Sequence, residues 1–97
     1  MSRFVINKLI YDTDKMEFIG TVKKWRKNEF FSMVMHEERG NFLSHKLYRS
    51  AKGNYLLTWE DCSTLYAEAI QEDEAKNLLM KFDYDSYSKL FGDLEEA

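Results

Sequence analysis

The 97-residue sequence predicts an α+β domain, an antiparallel sheet of about four to five strands followed by two C-terminal helices packed on one face. Three observations carry this. Apolar residues recur with a period of two through much of residues 3–70, as they must when successive strand side chains point to opposite faces. Clusters of turn formers interrupt these runs. After Gln71 the period changes to the helical one. With no proline and four glycines the chain has no flexible linker, so residues 1–97 read as a single domain.

Taken in order, Phe4, Ile6 and Ile10 alternate with polar positions while Val5 and Leu9 fall on the other face, which predicts a first strand near 3–11. Asp12-Thr13-Asp14-Lys15 is a turn cluster. Beyond it Met16, Phe18, Gly20 and Val22 share one face opposite Glu17, Ile19, Thr21 and Lys23, which reads as a hairpin partner for the first strand. Gly20 marks a bulge or a close backbone approach, or simply lost packing. Segment 28–41 reads as helical, because Phe30, Phe31, Val34 and Met35 have short-helix spacing, while its aromatic content keeps a strand as the alternative. Gly40-Asn41 closes it as a turn.

Phe42 to Arg49 and Asn54 to Glu60 form the clearest hairpin, joined by Ser50-Ala51-Lys52-Gly53, whose glycine can take a left-handed conformation. Ser63 to Ile70 extends the meander after Glu60-Asp61-Cys62. Ile70, Ala75, Leu78, Leu79 and Phe82 make the stripe of a helix over about 72–82, with Glu72, Asp73 and Glu74 in its first turn, where the dipole favours negative charge. Asp83 or Asp85 caps a second helix whose stripe is Tyr87, Leu90, Phe91 and Leu94, and Gly92 stops it.

Charge is segregated along the chain. Residues 1–54 carry 11 Lys or Arg against 6 Asp or Glu, and residues 55–97 carry 3 against 11. The two halves either meet as internal salt bridges or present opposite faces to partners. A single Cys62 forms no intramolecular disulfide and fits a reducing compartment, the N-terminus lacks the apolar core of a signal peptide, and the expected location is the cytoplasm, off the membrane.

No motif of enzyme grade appears. His36-Glu37-Glu38-Arg39-Gly40 has glycine where a helical zinc motif needs its second histidine, and His45 and Cys62 lack zinc-site spacing, so no metal or cofactor is expected. His45 reads as a strand residue on an exposed or half-buried face, and Cys62 as a small turn-flanking residue. The local cluster with a physical meaning of its own is Lys23-Lys24-Trp25-Arg26-Lys27. Its four cations around an indole suit phosphates and a stacked base, or an acidic protein surface. The structural alternative is an edge strand whose lysines prevent edge-to-edge pairing, with Trp25 turned into the core. The acidic residues Glu72, Asp73, Glu74, Asp83, Asp85, Asp93, Glu95 and Glu96 suit the reverse role, their carboxylates standing in for phosphates in an arginine-rich groove.

Blocks spanning nearly the whole chain resemble a family of small proteins common on phages and mobile elements of Gram-positive bacteria. They are Ile6-Asn7, Tyr11-Asp12-Thr13, Leu47-Tyr48-Arg49, Gly53 with Tyr55-Leu56, Glu74-Ala75, and Tyr87 with Phe91-Gly92. The family pattern has glycine where Lys8 stands, and a glycine-rich stretch where Trp59-Glu60-Asp61-Cys62 stands. Similar mobile-element proteins include anti-CRISPR inhibitors of the RNA-guided DNA nuclease of type II systems. The resemblance therefore implies a non-enzymatic accessory protein that binds and occludes a host protein. A nucleic-acid-binding regulator using Lys23 to Lys27 is the rival expectation, and a structural homodimer is the third.

Overall fold

The chain turns back on itself earlier than its alternation suggests. In the computed structural model, which describes residues 2–27, 29–37, 40–61 and 63–97, Asn7 and Lys8 both take left-handed φ values of 52° and 66°. They link β1 (Arg3–Ile6) to β2 (Leu9–Asp12) as a two-residue hairpin, with Ile6 facing Leu9 and Arg3 facing Asp12. The single strand expected over 3–11 is thus two strands, which form a small sheet of their own. Lysine in place of the usual glycine conceals this turn. Asp12 then accepts a hydrogen bond from the Asp14 N–H at 3.0 Å, opening a short 3-10 turn over Thr13–Lys15.

β3 (Glu17–Lys27) pairs with β4 (Gly40–Arg49) and not with the first strand, whose hydrogen-bonding partner is β2. A bulge between Phe18 and Gly20 shifts the register, so Phe18 faces away from Val22 instead of sharing its side. Gly20 also meets a close approach: a β-carbon there would lie 2.3 Å from an Asp83 carboxylate oxygen. Between the two strands runs α1 (Glu29–Met35), so the described residues of segment 28–41 include a helix and, from Gly40, the start of β4. The side chains of Phe30 and Phe31 lie outside the description, as do Asn28, Glu38 and Arg39. Gly40 opens β4 opposite Lys27 and makes no turn. A β-carbon on it would stand 2.3 Å from the Arg26 carbonyl oxygen and 2.5 Å from the Trp25 ring.

β5 (Tyr55–Asp61) and β6 (Thr64–Ile70) complete an antiparallel sheet of order β3-β4-β5-β6. Gly53 takes the left-handed φ of 83° that the β4–β5 loop demands. Ser63 turns the next hairpin at φ 67°, and Cys62 lies outside the described residues. α2 (Glu72–Phe82) and α3 (Tyr84–Phe91) follow. Asp83 joins them: its N–H donates to the Leu79 carbonyl at 2.8 Å, and its carboxylate accepts from the Ser86 N–H at 3.3 Å and the Ser86 hydroxyl at 2.7 Å. Gly92 ends α3 with φ 89°, which leaves Leu94 beyond the helix and half exposed, outside the stripe expected of it.

The helices cover one face of the sheet. Val22, Leu47, Tyr55, Leu57 and Ile70 project from the strands to meet Ala75 and Leu79 of α2 and Tyr87 of α3. Val22, Leu47, Leu57, Ala75 and Leu79 are wholly shielded from solvent. On the second face β1 rests against β6, and Ser2 and Thr13 share a cavity with Lys46, Tyr48 and Thr58. The small hairpin therefore shields Leu56 and Thr58 from the other side. Among the described residues no helix is long and apolar enough to cross a membrane.

Candidate functional site

Strand alternation splits the basic cluster. Lys24 and Arg26 follow Val22 on the helix-covered face, whereas Lys23, Trp25 and Lys27 point to the other. Beyond the helices, the first face continues as a polar and aromatic ladder across all four strands. The Arg26 guanidinium lies 3.8 Å above the Trp59 ring, donates from Nε to His45 Nε2 at 3.1 Å, and donates from a terminal nitrogen to Glu68 at 3.0 Å. Trp59 stacks on His45 at 4.7 Å and on Tyr66 at 5.5 Å. Lys24 bridges Glu68 at 2.9 Å and Glu74 of α2 at 2.7 Å. The basic and acidic halves of the sequence therefore meet inside the molecule here.

His45 is 0% exposed, a correction to the exposed or half-buried position expected of it. Register and stacking explain this, because His45 faces Val22 across the β3–β4 pair and sits under Trp59. Its Nδ1 donates to the Leu43 carbonyl at 2.7 Å, leaving Nε2 to accept from Arg26, so the ring is held neutral. Burial, aided by the charges of Arg26 and Lys24, depresses its pKa from the ordinary value despite the Leu43 bond. Burial likewise opposes the charge on Glu68 and Lys24, but hydrogen bonds from Arg26 and Lys24 outweigh it at Glu68, as do those to Glu74 and Glu68 at Lys24. Glu68 is held below its ordinary range, and Lys24, through Glu74 and Glu68, above its own.

The other residues singled out in the sequence are dispersed. Asp83 serves the interhelical joint, Glu72 pairs with Lys76 one turn on at 3.5 Å, and Asp73 and Asp85 are exposed in the first turns of α2 and α3. Trp25 is turned away from the helix core, 40% exposed on the second face, where it stands opposite Phe42 at 64%. At the same end of the β3–β4 hairpin, Met33, Val34 and Met35 of α1 are 69%, 52% and 51% exposed. β4 pairs with β5 only over 46–49, so the hairpin's outer half projects as a two-stranded arm carrying these apolar side chains. Lys23 and Lys46 are exposed on the same face of the sheet as Trp25.

Phe42 and the ladder members Trp59, Tyr66 and Glu68 were not among the candidates the sequence offered. Tyr66 and Glu68 alternate along one predicted strand and Trp59 lies on the strand before it, which was the available signal. Among the described residues, no group of three or more His, Cys, Asp or Glu is placed to hold a metal ion. Comparison of the chain with family models, with curated proteins and with solved structures finds no match in any of the three.

Proposed function

We propose that this chain is a non-enzymatic binding protein that acts by covering a larger partner protein with the tip of its β3–α1–β4 arm. The supporting observation is the exposure of Trp25, Phe42, Met33, Val34 and Met35 together at that tip. Apolar side chains clustered on a small soluble protein mark interaction surfaces, and aromatic residues anchor interfaces while methionines adapt to them. Lys23, exposed two residues from Trp25 on the same face, favours an acidic rim on the partner. Lys24 and Arg26 tie the arm to β6 and α2 through Glu68 and Glu74, so they position the tip.

The partner indicated by the family resemblance is the RNA-guided DNA nuclease of type II systems, which the arm would block without catalysis. An interface of about 800 Å2 per side is within reach of a domain this size. The test is DNA cleavage by that nuclease with stoichiometric amounts of the protein. Cleavage is expected to stop with the natural chain and to return with Trp25→Ser/Phe42→Ser. Undiminished cleavage with the natural chain removes the nuclease as target. Equal capture of a host protein by the natural and doubly substituted chains removes the arm as its contact.

A further inference from the structure

At the opposite end of β3 and β4 from the apolar tip, cations that are scattered singly in the sequence converge. Arg3 of β1, Lys8 of the first turn, Lys15 of the 3-10 turn and Lys52 of the β4–β5 loop line one cavity of about 640 Å3. An adjoining cavity shares Lys15 and Lys52 and adds Arg49 together with Glu17. We propose that this end of the molecule binds closely spaced phosphate groups, carried either by a single-stranded nucleic acid or by a nucleoside triphosphate.

The charge balance carries the argument. Lys8, Lys15 and Lys52 have no carboxylate partner among the described residues. The carboxylate lining the larger cavity, Asp12, is 8% exposed and already committed to the Asp14 N–H and, at 3.5 Å, to Arg3. Arg49 is paired with Glu17 at 3.2 Å. Three uncompensated cations therefore surround a concavity whose wall includes Leu9, Ile10, Tyr11 and Met16. An apolar wall of low dielectric focuses such a field, and the volume matches sites that take small ligands. One carboxylate would neutralise one of the three charges, whereas successive phosphates bring one negative charge or more each.

Lys8 adds a second observation. It occupies a left-handed φ of 66°, a conformation that favours glycine, and so places a cation at the cavity where glycine would leave none. Strained backbone retained against an available relief is a feature of functional sites. The site is separate from the tip proposed to contact a protein, so failure of that proposal leaves this one standing.

The test is fluorescence anisotropy of a labelled single-stranded oligonucleotide at low salt, with ATP, inorganic triphosphate and polyglutamate as competitors. Three phosphate contacts give a slope of log affinity against log salt of about −2. Lys8→Gln/Lys15→Gln/Lys52→Gln is expected to lose at least about tenfold in affinity, while Lys23→Gln/Lys27→Gln at the other end keeps it. Lys8→Gly, which removes one of these charges while relieving the backbone, is the variant that keeps the fold and should still weaken binding. Competition by ATP and triphosphate assigns the nucleotide as the source, and binding of the oligonucleotide alone assigns the strand. The proposal is overturned if no phosphate probe binds, if the triple substitution leaves affinity unchanged, or if polyglutamate of equal charge binds as tightly.

Discussion

One face of the sheet carries two chemistries. Near α2 and α3 it presents Val22, Leu47, Leu57 and Ile70 to helical Ala75, Leu79 and Tyr87, and the packing is apolar. Farther along the same strands it presents Arg26, His45, Trp59, Tyr66 and Glu68 to one another, and the contacts are hydrogen bonds, a cation over an indole, and stacked rings. Where a helix covers the sheet, non-directional burial suffices. Where none does, side chains of adjacent strands must cover each other, and only directional contacts hold them in place. Stability should therefore be concentrated at the first end, and pH sensitivity at the second.

The sharpest break of this comparison is Leu57→Ala. It removes a wholly shielded side chain beneath the helices and should cost about 2–5 kcal/mol in chemical denaturation. An equally large loss for Arg26→Ala would contradict the contrast. With the guanidinium 20% exposed and Glu68 38% exposed, solvent screening limits Arg26→Ala to about 1–2 kcal/mol, and Arg26→Lys should recover little of it because lysine lacks the planar fork.

The pH dependence sharpens the same point. A histidine whose folded pKa lies below its unfolded value of about 6.5 contributes stability fully above that pH and loses it as pH falls through the folded value. Thermal unfolding from pH 7.5 to pH 5 should therefore show a declining midpoint. His45→Gln should flatten that decline, and an unchanged slope would exclude His45 as its source. Glu68, depressed below 4.5, adds its own loss only at lower pH. The smallest effect is a gain: Lys8→Gly should stabilise the chain by about 1 kcal/mol, since the left-handed backbone at this turn costs a lysine but not a glycine.

Much of the helix-covered end was legible in the sequence. The stripe of α2, the capping Asp83 with Gly92 beyond, and the hairpin closed by Gly53 are local signals, each readable within a dozen residues. The polar end was not, because Arg26, His45, Trp59 and Glu68 become neighbours only through a register that no local signal reports. Lys23 to Lys27 drew attention as a run, but period two divides it between faces and ion pairs take up Lys24 and Arg26. Arg3, Lys8, Lys15 and Lys52 form no run, since each stands alone in the sequence and they converge only when the β1–β2 hairpin meets the β4–β5 loop. The hairpin itself hid behind its two-residue turn, where Lys8 occupies the place of an informative glycine.

The parting of β4 from β5 beyond the pair Lys46–Thr58 has a dynamic consequence. Outside it, the amides of 22–27 and 40–45 belong to a ribbon two strands wide, and such ribbons open at lower free energy than strands paired on both sides. Deuterium should enter those amides well before it enters 46–49 and 55–58. The tip can then adjust its twist to a surface it meets while the helix-clad end keeps its shape.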